Sequence, residues 1–190
     1  METIIITAPD FLRHEAEAIT ALLDSGAANR VHVRKPRCAE RDMRTLLEAI
    51  PPRLRGRISL HDLTDLATAY GIGGVHLNGR NPTAPECFDG IVSRSCHSAR
   101  ELSEACGCDY MFLSPVFDSI SKPGYGGRLE ALAPAGCDLT RTFALGGVTP
   151  GHFWQLREAG FRGAALLGYV WEGYSDKRLR DIITEITRNK

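Results

Sequence analysis

The chain has 190 residues, 43% of them hydrophobic and 24% charged, which is typical of one globular domain with a sizeable core. Its 23 Lys and Arg residues balance 23 Asp and Glu residues, so the basic excess of a nucleic-acid-binding or anionic-membrane surface is missing. The apolar run within Met1–Asp10 is too short for a signal or membrane segment, and no later run could span a bilayer.

Short β-like runs alternate with amphipathic helical patterns along most of the chain. This alternation indicates a parallel sheet, because parallel neighbours need crossover connections. Eight such runs predict an α/β fold, a compact, closed (β/α)₈ TIM barrel in one domain covering residues 1–190. An open doubly wound sheet is the alternative, but no glycine-rich phosphate turn follows the first run.

The predicted elements follow one another closely. The strands are Thr3–Thr7, Arg30–Arg34, Arg57–Leu60, Gly74–Leu77, Gly90–Ser93, Asp109–Leu113, Thr142–Leu145 and Gly163–Leu167. The helices are Asp10–Ser25, Glu40–Ile50, Asp62–Tyr70, Ser98–Cys106, Pro150–Ala159 and Asp176–Thr187. The proline-containing segment Asn78–Asp89 is expected to replace a regular helix between the fourth and fifth strands.

The six cysteines do not have the spacing of a zinc site, since four stand alone and Cys106-Gly-Cys108 lacks a second pair. Without a secretion signal they are interpreted as reduced thiols, which predicts a cytoplasmic protein.

The loop Ser114–Gly127 follows an apolar run and contains hydroxyls, glycines and a single lysine. Hydroxyl and backbone N–H donors around one ammonium suit a phosphate or diphosphate. A plain surface connection rich in proline and glycine is the alternative.

The active site of a (β/α)₈ barrel lies at the carboxyl ends of its strands. In the second strand the two-residue period places His32 and Arg34 on one face, which we expect to point into the barrel mouth. An arginine there needs a partner, either an anionic ligand or an internal salt bridge, and the adjacent Lys35 favours the ligand.

Further polar residues follow the third, fourth and fifth strands. Asp62 is a candidate Mg²⁺ ligand, although Asp62 or Thr64 could instead cap the next helix. His76 lies between apolar residues and could be an interior histidine rather than a catalyst. His97 precedes a predicted capping box, Ser98 to Glu101, and could donate or accept a proton at the barrel mouth.

Glycines follow the last two predicted strands. Gly146 and Gly147 come after the seventh strand, and Gly168 comes after the eighth. Barrels often bind phosphate at these positions, because glycine lets backbone N–H groups approach the anion closely.

In chain order, these motifs resemble those of the thiamine phosphate synthase/TenI family of (β/α)₈ barrels, from about Ile4 to Val170. Six motifs occur in the same order and lie at strand ends, so together they are more specific than any one of them. They are Val33-Arg34-Lys35, Asp65-Leu66-Ala67, Gly74-Val75-His76-Leu77, the segment Arg94–Ser98, the segment Asp109–Lys122 and the segment Ala144–Val148.

The resemblance implies an enzyme that joins hydroxymethylpyrimidine diphosphate to a thiazole phosphate with Mg²⁺ and releases diphosphate. It also implies a homo-oligomer that binds these phosphorylated small molecules. The implied catalytic residues are Lys122, Arg34 and His97, and the implied metal ligands are Asp62 and Asn81. The implied substrate-binding residues are His32, Lys35, His61, His76, Ser95, Ser119, Ser121, Gly146, Gly147 and Gly168.

Some positions differ from the family pattern. Asn81 stands where the synthase has its second metal carboxylate, His61 replaces an asparagine, and Lys35-Pro36 replaces Glu-Lys. Two alternatives therefore stay open: a TenI-like thiazole tautomerase that uses His97 without Mg²⁺, and a non-catalytic barrel that binds thiamine precursors.

Overall fold

The computed structural model describes residues 1–105, 107–117 and 137–190, and it confirms the (β/α)₈ barrel. Eight parallel strands pair in sequence order, and the eighth pairs with the first to close the ring. The strands are β1 (Glu2–Ile6), β2 (Arg30–Val33), β3 (Ile58–Leu60), β4 (Gly74–Leu77), β5 (Ile91–Cys96), β6 (Tyr110–Leu113), β7 (Thr142–Ala144) and β8 (Gly163–Leu166).

The helices of the described residues lie between and after these strands. They are α1 (Glu15–Asp24), α2 (Glu40–Ala49), α3 (Pro52–Arg55), α4 (Leu66–Tyr70), α5 (Ala99–Glu104), α6 (Phe153–Glu158), α7 (Gly168–Trp171) and α8 (Asp176–Asn189), with a 3₁₀ turn at Pro150–His152 before α6. As predicted, the connection between β4 and β5 contains no helix. None of the described helices is both long and apolar enough to cross a membrane.

Several predicted boundaries were wrong. β5 continues three residues beyond the predicted end at Ser93, because the residues up to Cys96 still pair with β6. The short helices α3 and α7 were not predicted. Helix α1 begins at Glu15 rather than at Asp10, since the chain before it folds back over the end of β2.

Side chains alternate between two apolar cores, as the two-residue period of a strand requires. Val31 and Val33 of β2 face outward and pack with the helices, as predicted from their spacing. His32, between them, faces the barrel interior and contacts the inward-pointing Phe112 of β6. The alternation therefore sends His32 into the barrel, while the valines on either side of it pack against the helices.

The barrel interior is polar on one side and apolar on the other. Strands β6, β7, β8 and β1 contribute Tyr110, Phe112, Phe143, Ala165, Ile4 and Ile6 to an inner apolar cluster. The opposite wall contains hydrogen-bonded imidazoles and hydroxyls from β2 to β5 and the residues that follow them: His32, Ser59, His61, His76, Ser93 and Ser95. This division places the polar groups beside the pocket at the top of the barrel.

Candidate functional site

A pocket of about 470 Å³ opens at the carboxyl ends of the strands. Its floor is formed by inward side chains of the barrel, and its rim comes from the connections that follow the strands. The lining residues include Arg34, His61, His76, Asn78, Arg80, Arg94, Ser95, His97 and Phe112. The pocket therefore lies at the end of the barrel at which the sequence predicts the site.

Arg34 lines this pocket directly after β2. Its backbone N–H donates to Thr7 Oγ1 at 3.0 Å, which fixes the chain where it leaves the strand. Among the described residues no carboxylate or other acceptor binds its guanidinium, so these residues contain no internal salt bridge to Arg34. A half-buried guanidinium without such a partner is suited to an anionic ligand.

Asp62 forms an ion pair with Arg80 rather than a helix cap. Its Oδ1 accepts hydrogen bonds from Arg80 Nε at 3.0 Å and Nη2 at 2.8 Å, and its Oδ2 accepts the backbone N–H of Lys35 at 3.2 Å. The capping alternative was wrong for Asp62 and for Thr64, because α4 begins later and its N-cap position, Asp65, makes no side-chain cap bond.

The turn that carries Arg80 is held by asparagine side chains. Asn78 Oδ1 accepts the backbone N–H of Arg80 at 2.9 Å, and its Nδ2 donates to the His61 carbonyl at 2.8 Å. Asn81 Nδ2 donates to the same carbonyl at 2.9 Å. This asparagine turn ties Arg80 and Asn81 to the end of β3, which is a common use of asparagine in loops.

Three histidines form a buried cluster beneath the pocket. His32 Nδ1 lies 2.8 Å from His61 Nε2, and the His61 and His76 rings stack with their centroids 4.0 Å apart. His76 has Ser93 and Ser95 hydroxyls 2.9 Å from its two ring nitrogens. Nitrogens of the three rings lie within 4.8 Å of one another, close enough to share a metal, but hydrogen bonds already occupy the nitrogens of His32 and His76.

Burial keeps these imidazoles neutral. It lowers the pKa values of His32 and His61 well below the usual range, and the neighbouring ring of His76 lowers both further. Burial also lowers the pKa of His76 to about 3. The cluster therefore offers neutral hydrogen-bonding and stacking groups to a ligand, not positive charge, and the fully buried His32 supports His61 from below.

His97 lies at the exposed rim of the pocket. Its Nδ1 is 2.9 Å from the Ser114 carbonyl oxygen, which can only accept, so Nδ1 carries a proton. This bond orients the ring, and Nε2, which no described residue binds, can exchange a proton or bind a ligand. The predicted cap is confirmed in part: Ser98 Oγ accepts the Glu101 N–H, whereas the Glu101 carboxylate accepts the His97 N–H rather than that of Ser98.

The glycines after β7 and β8 present backbone donors. Gly146 and Gly147 have φ values of 90° and 64°, a left-handed conformation that favours glycine. A Cβ atom on Gly146 would lie 2.8 Å from Pro115 Cα, so no other residue fits there without a shift. Among the described residues, no acceptor binds the N–H groups of Gly146, Gly147 or Gly168.

Lys35 points away from the pocket into a buried ion pair. Its Nζ donates to Glu15 Oε1 at 2.6 Å and to the carbonyls of Ala8 and Asp10 at 2.8 Å each, and its side chain is fully buried. Burial raises the pKa of Glu15 and lowers that of Lys35, although each partner opposes the shift of the other. This geometry favours a structural role, in which Lys35 holds the loop after β1.

Of the predicted site residues that the structure describes, five line this pocket and His32 lies beneath it; the five are Arg34, His61, His76, Ser95 and His97. Lys35, Asp62 and Asn81 line a smaller cavity, and Gly146, Gly147 and Gly168 line neither of these two cavities. Lys122, Ser119 and Ser121 lie outside the described residues. Sequence reasoning missed Arg80 and Arg94, which both line the pocket. The signal for Arg80 was indirect: a carboxylate at the end of β3 needs a cation, and an arginine follows β4 within three residues of its end.

Comparison with known proteins identifies the family. The family model for thiamine monophosphate synthase matches residues 3–170. A thiamine-phosphate synthase of Thermus thermophilus is 31% identical over 135 residues, which span 66% of this chain and 65%, just under two thirds, of that protein. A putative thiamine-phosphate synthase of Geobacter sulfurreducens is 28% identical over 176 residues, 83% of each chain.

A solved structure supports the same assignment. The crystal structure of a thiamine phosphate pyrophosphorylase from Bacteroides thetaiotaomicron superposes with a TM-score of 0.86 at 29% identity, covering 100% of this chain and 97% of that one. The match extends over the whole barrel, including the strand ends that carry the pocket. The chain belongs to the thiamine monophosphate synthase family.

Proposed function

We propose that this chain is a thiamine-phosphate synthase, which joins hydroxymethylpyrimidine diphosphate to a thiazole phosphate and releases diphosphate. Family membership and the names of its relatives support this activity. The observation that carries the proposal is the Arg34 guanidinium, which lines the pocket with no partner among the described residues. The resemblance also predicts a homo-oligomer, the isolated cysteines predict a cytoplasmic protein, and both statements stay predictions.

The proposed reaction needs no protein nucleophile. The bond between the pyrimidine methylene carbon and the diphosphate oxygen breaks, and both electrons leave with the oxygen. The thiazole nitrogen then uses its lone pair to bond that carbon. Arg34 would stabilise the charge that grows on the leaving oxygen, and the pocket would hold the two reactants in line. Lys122, Ser119 and Ser121 stay predicted partners of the same diphosphate.

The second anion, the thiazole phosphate, is assigned to the glycines after β7 and β8. The N–H groups of Gly146, Gly147 and Gly168 have no acceptor in the part of the chain that the structure describes. They are suited to phosphate oxygens, because each supplies one neutral donor without adding bulk. The two phosphate sites then lie on different sides of the barrel mouth, with the neutral stack of His61 and His76 in the floor.

The predicted Mg²⁺ ligands fit a divalent cation poorly. Mg²⁺ favours carboxylates and water in a regular octahedron. Both oxygens of Asp62 already accept hydrogen bonds, the Arg80 guanidinium approaches Oδ1 to 2.8 Å, and Asn81 is neutral. A requirement for Mg²⁺ therefore stays a prediction of the resemblance, and no step of the proposed mechanism is assigned to a metal.

A thiazole tautomerase is the second candidate, and His97 is the observation that favours it. Its Nδ1–H is held by the Ser114 carbonyl, and no described residue binds Nε2, which can therefore take a proton from one ligand atom and return it to another. Such a reaction would need only one bound thiazole phosphate.

An assay with both precursors tests the proposal. The protein is incubated with the pyrimidine diphosphate and the thiazole phosphate, with and without Mg²⁺, and thiamine phosphate and diphosphate are measured. Equal amounts of the two products are expected. Isomerisation of a thiazole carboxylate phosphate without coupling would favour the tautomerase, and binding without either reaction would favour the precursor-binding barrel.

A further inference from the structure

Arg80 lies between the main pocket and the predicted metal ligands Asp62 and Asn81. Asp62 and Asn81 line a smaller cavity of about 250 Å³, whereas the main pocket includes neither of them. Arg80 lines both cavities and therefore separates these two side chains from the pocket. A ligand in the main pocket would meet the guanidinium before it met the carboxylate.

The Arg80 guanidinium has N–H donors that Asp62 does not use. Two of the five N–H donors of an arginine are used on Asp62, through Nε and Nη2. Among the described residues no acceptor binds Nη1, and the Arg80 side chain is 46% exposed. Three donors and a delocalised positive charge therefore remain for an anion.

The arginine is held firmly. Asp62 fixes the guanidinium, and the Asn78 side chain fixes the backbone of Arg80 through its N–H. The asparagine turn is itself tied to the His61 carbonyl at the end of β3. A cation positioned in this way needs little rearrangement when an anion arrives, which increases its electrostatic effect.

The charges also match. A divalent cation held by two carboxylates forms a neutral cluster, and so does one guanidinium held by one carboxylate. With Asn81 neutral where the resemblance implies a second carboxylate, the pair of Arg80 and Asp62 gives this corner the same net charge. A dication would be repelled by the guanidinium, since both would lie within a few ångströms of Asp62.

We propose that Arg80, positioned by Asp62, binds the diphosphate of the substrate directly and replaces a divalent metal ion. The inference rests on the proposed function, because it concerns the same diphosphate. The bonds that break and form are unchanged. Arg80 acts with Arg34 by stabilising the electrons that leave with the diphosphate oxygen.

Two measurements test the proposal. The first is calorimetric binding of inorganic diphosphate in excess EDTA, and the second is turnover of both precursors in EDTA and in Mg²⁺. We expect the wild type to bind diphosphate in EDTA and to turn over the precursors in EDTA at a rate within about twofold of that in Mg²⁺. We expect the turnover of R80Q to be about 10²-fold lower than that of the wild type. R53Q is the matched control, because Arg53 makes a bidentate pair with Asp24 on the exposed surface, with distances of 2.6 and 2.7 Å.

A double variant makes the test sharper. R80Q/N81D removes the guanidinium and supplies a second carboxylate beside Asp62, so it should recover turnover only when Mg²⁺ is added. Thermal melts of each variant show that it is folded before it is assayed.

The outcomes separate the two proposals. If wild-type turnover disappears in EDTA and returns with Mg²⁺, the arginine proposal is overturned while the synthase proposal stands. If no coupling occurs under any condition, the synthase proposal fails, and the diphosphate titration still decides the role of Arg80. Equal diphosphate binding by the wild type and R80Q in EDTA would overturn that role.

Discussion

Arg34 and Lys35 are adjacent basic residues with opposite environments. The Arg34 guanidinium faces the pocket without a partner among the described residues, whereas the Lys35 ammonium is surrounded by three oxygens. Both residues follow the last residue of β2, Val33, and their side chains reach different surroundings, the pocket for Arg34 and Glu15 for Lys35. One residue is therefore available to a ligand, and the other supports the loop above the barrel.

We expect R34Q to impair catalysis without unfolding the protein. Loss of one charged donor to a developing anion costs about 10²–10³-fold in turnover. The free energy of unfolding should change by less than about 1 kcal/mol, since no described residue depends on the guanidinium. Steady-state kinetics and urea denaturation measure the two quantities. Unchanged turnover would remove Arg34 from the mechanism.

We expect K35M to lower the free energy of unfolding by about 3–5 kcal/mol, because it leaves the carboxylate of Glu15 buried without its cation. The double variant K35M/E15L should recover most of this loss, since both charges are then gone. Urea denaturation measures both variants. A K35M protein of normal stability that no longer binds diphosphate would instead support Lys35 as a substrate ligand.

At the level of elements, adjacent strands bring the three buried histidines together. His32 lies in β2, His61 directly follows β3 and His76 lies in β4. Each is inward-facing, and parallel pairing in register places them beside one another. Since burial lowers all three pKa values, the folded barrel disfavours their protonation.

This burial predicts a loss of stability in acid. The folded pKa of each histidine is below the unfolded value of about 6.5, so the unfolded chain binds protons first as the pH falls. The stabilisation is complete above that value and is lost as the pH falls towards the pKa of His76, about 3. The slope should be about 1.4 kcal/mol per pH unit for each histidine that titrates.

Urea denaturation between about pH 7.5 and about pH 5 measures this slope. H76N should reduce this slope by the contribution of one proton, about 1.4 kcal/mol per pH unit. The same substitution at the exposed His14, H14N, serves as the control. A slope that H76N does not change would show that His76 takes up no proton on unfolding.

Contacts between the first and the last elements of the chain close the barrel. β8 pairs with β1, so the sheet has no free edge. Helix α7 adds a hydrogen bond from Trp171 Nε1 to the Ile6 carbonyl at 2.7 Å. Leu179, Ile182 and Ile186 of α8 are buried against the same side of the barrel core. These contacts join the last elements to the first strand.

We therefore expect cooperative unfolding, which tests the prediction of one domain. In W154F the exposed tryptophan is removed, and the fluorescence of the variant reports on buried Trp171. The urea transition measured by this fluorescence should coincide with the loss of helical circular dichroism, because neither the barrel closure at β1 and β8 nor the helices should persist without the other. Two separate transitions would contradict a single cooperative domain.

The sequence by itself determined the barrel and the end at which its candidate site lies. Alternating runs define eight strands, and each strand end carries its own polar motif, so these features depend on neighbouring residues that local periodicity can reveal. Arg34, His32 and the glycines after β7 and β8 were predicted as candidate site residues in this way, whereas His61 was implied only by the resemblance to the family.

Only the tertiary structure decided which polar groups are already paired. Lys35 is bound by Glu15, which is 20 residues away, and Asp62 is bound by Arg80, which is 18 residues away. Strand pairing and the course of the loops bring such partners together. A short sequence pattern cannot predict these contacts, because the two residues are far apart in the chain. The ion pair with Glu15 holds the Lys35 side chain away from the pocket, and the ion pair with Asp62 holds Arg80 beside it. Both pairs form because a buried charge is stable only next to an opposite charge.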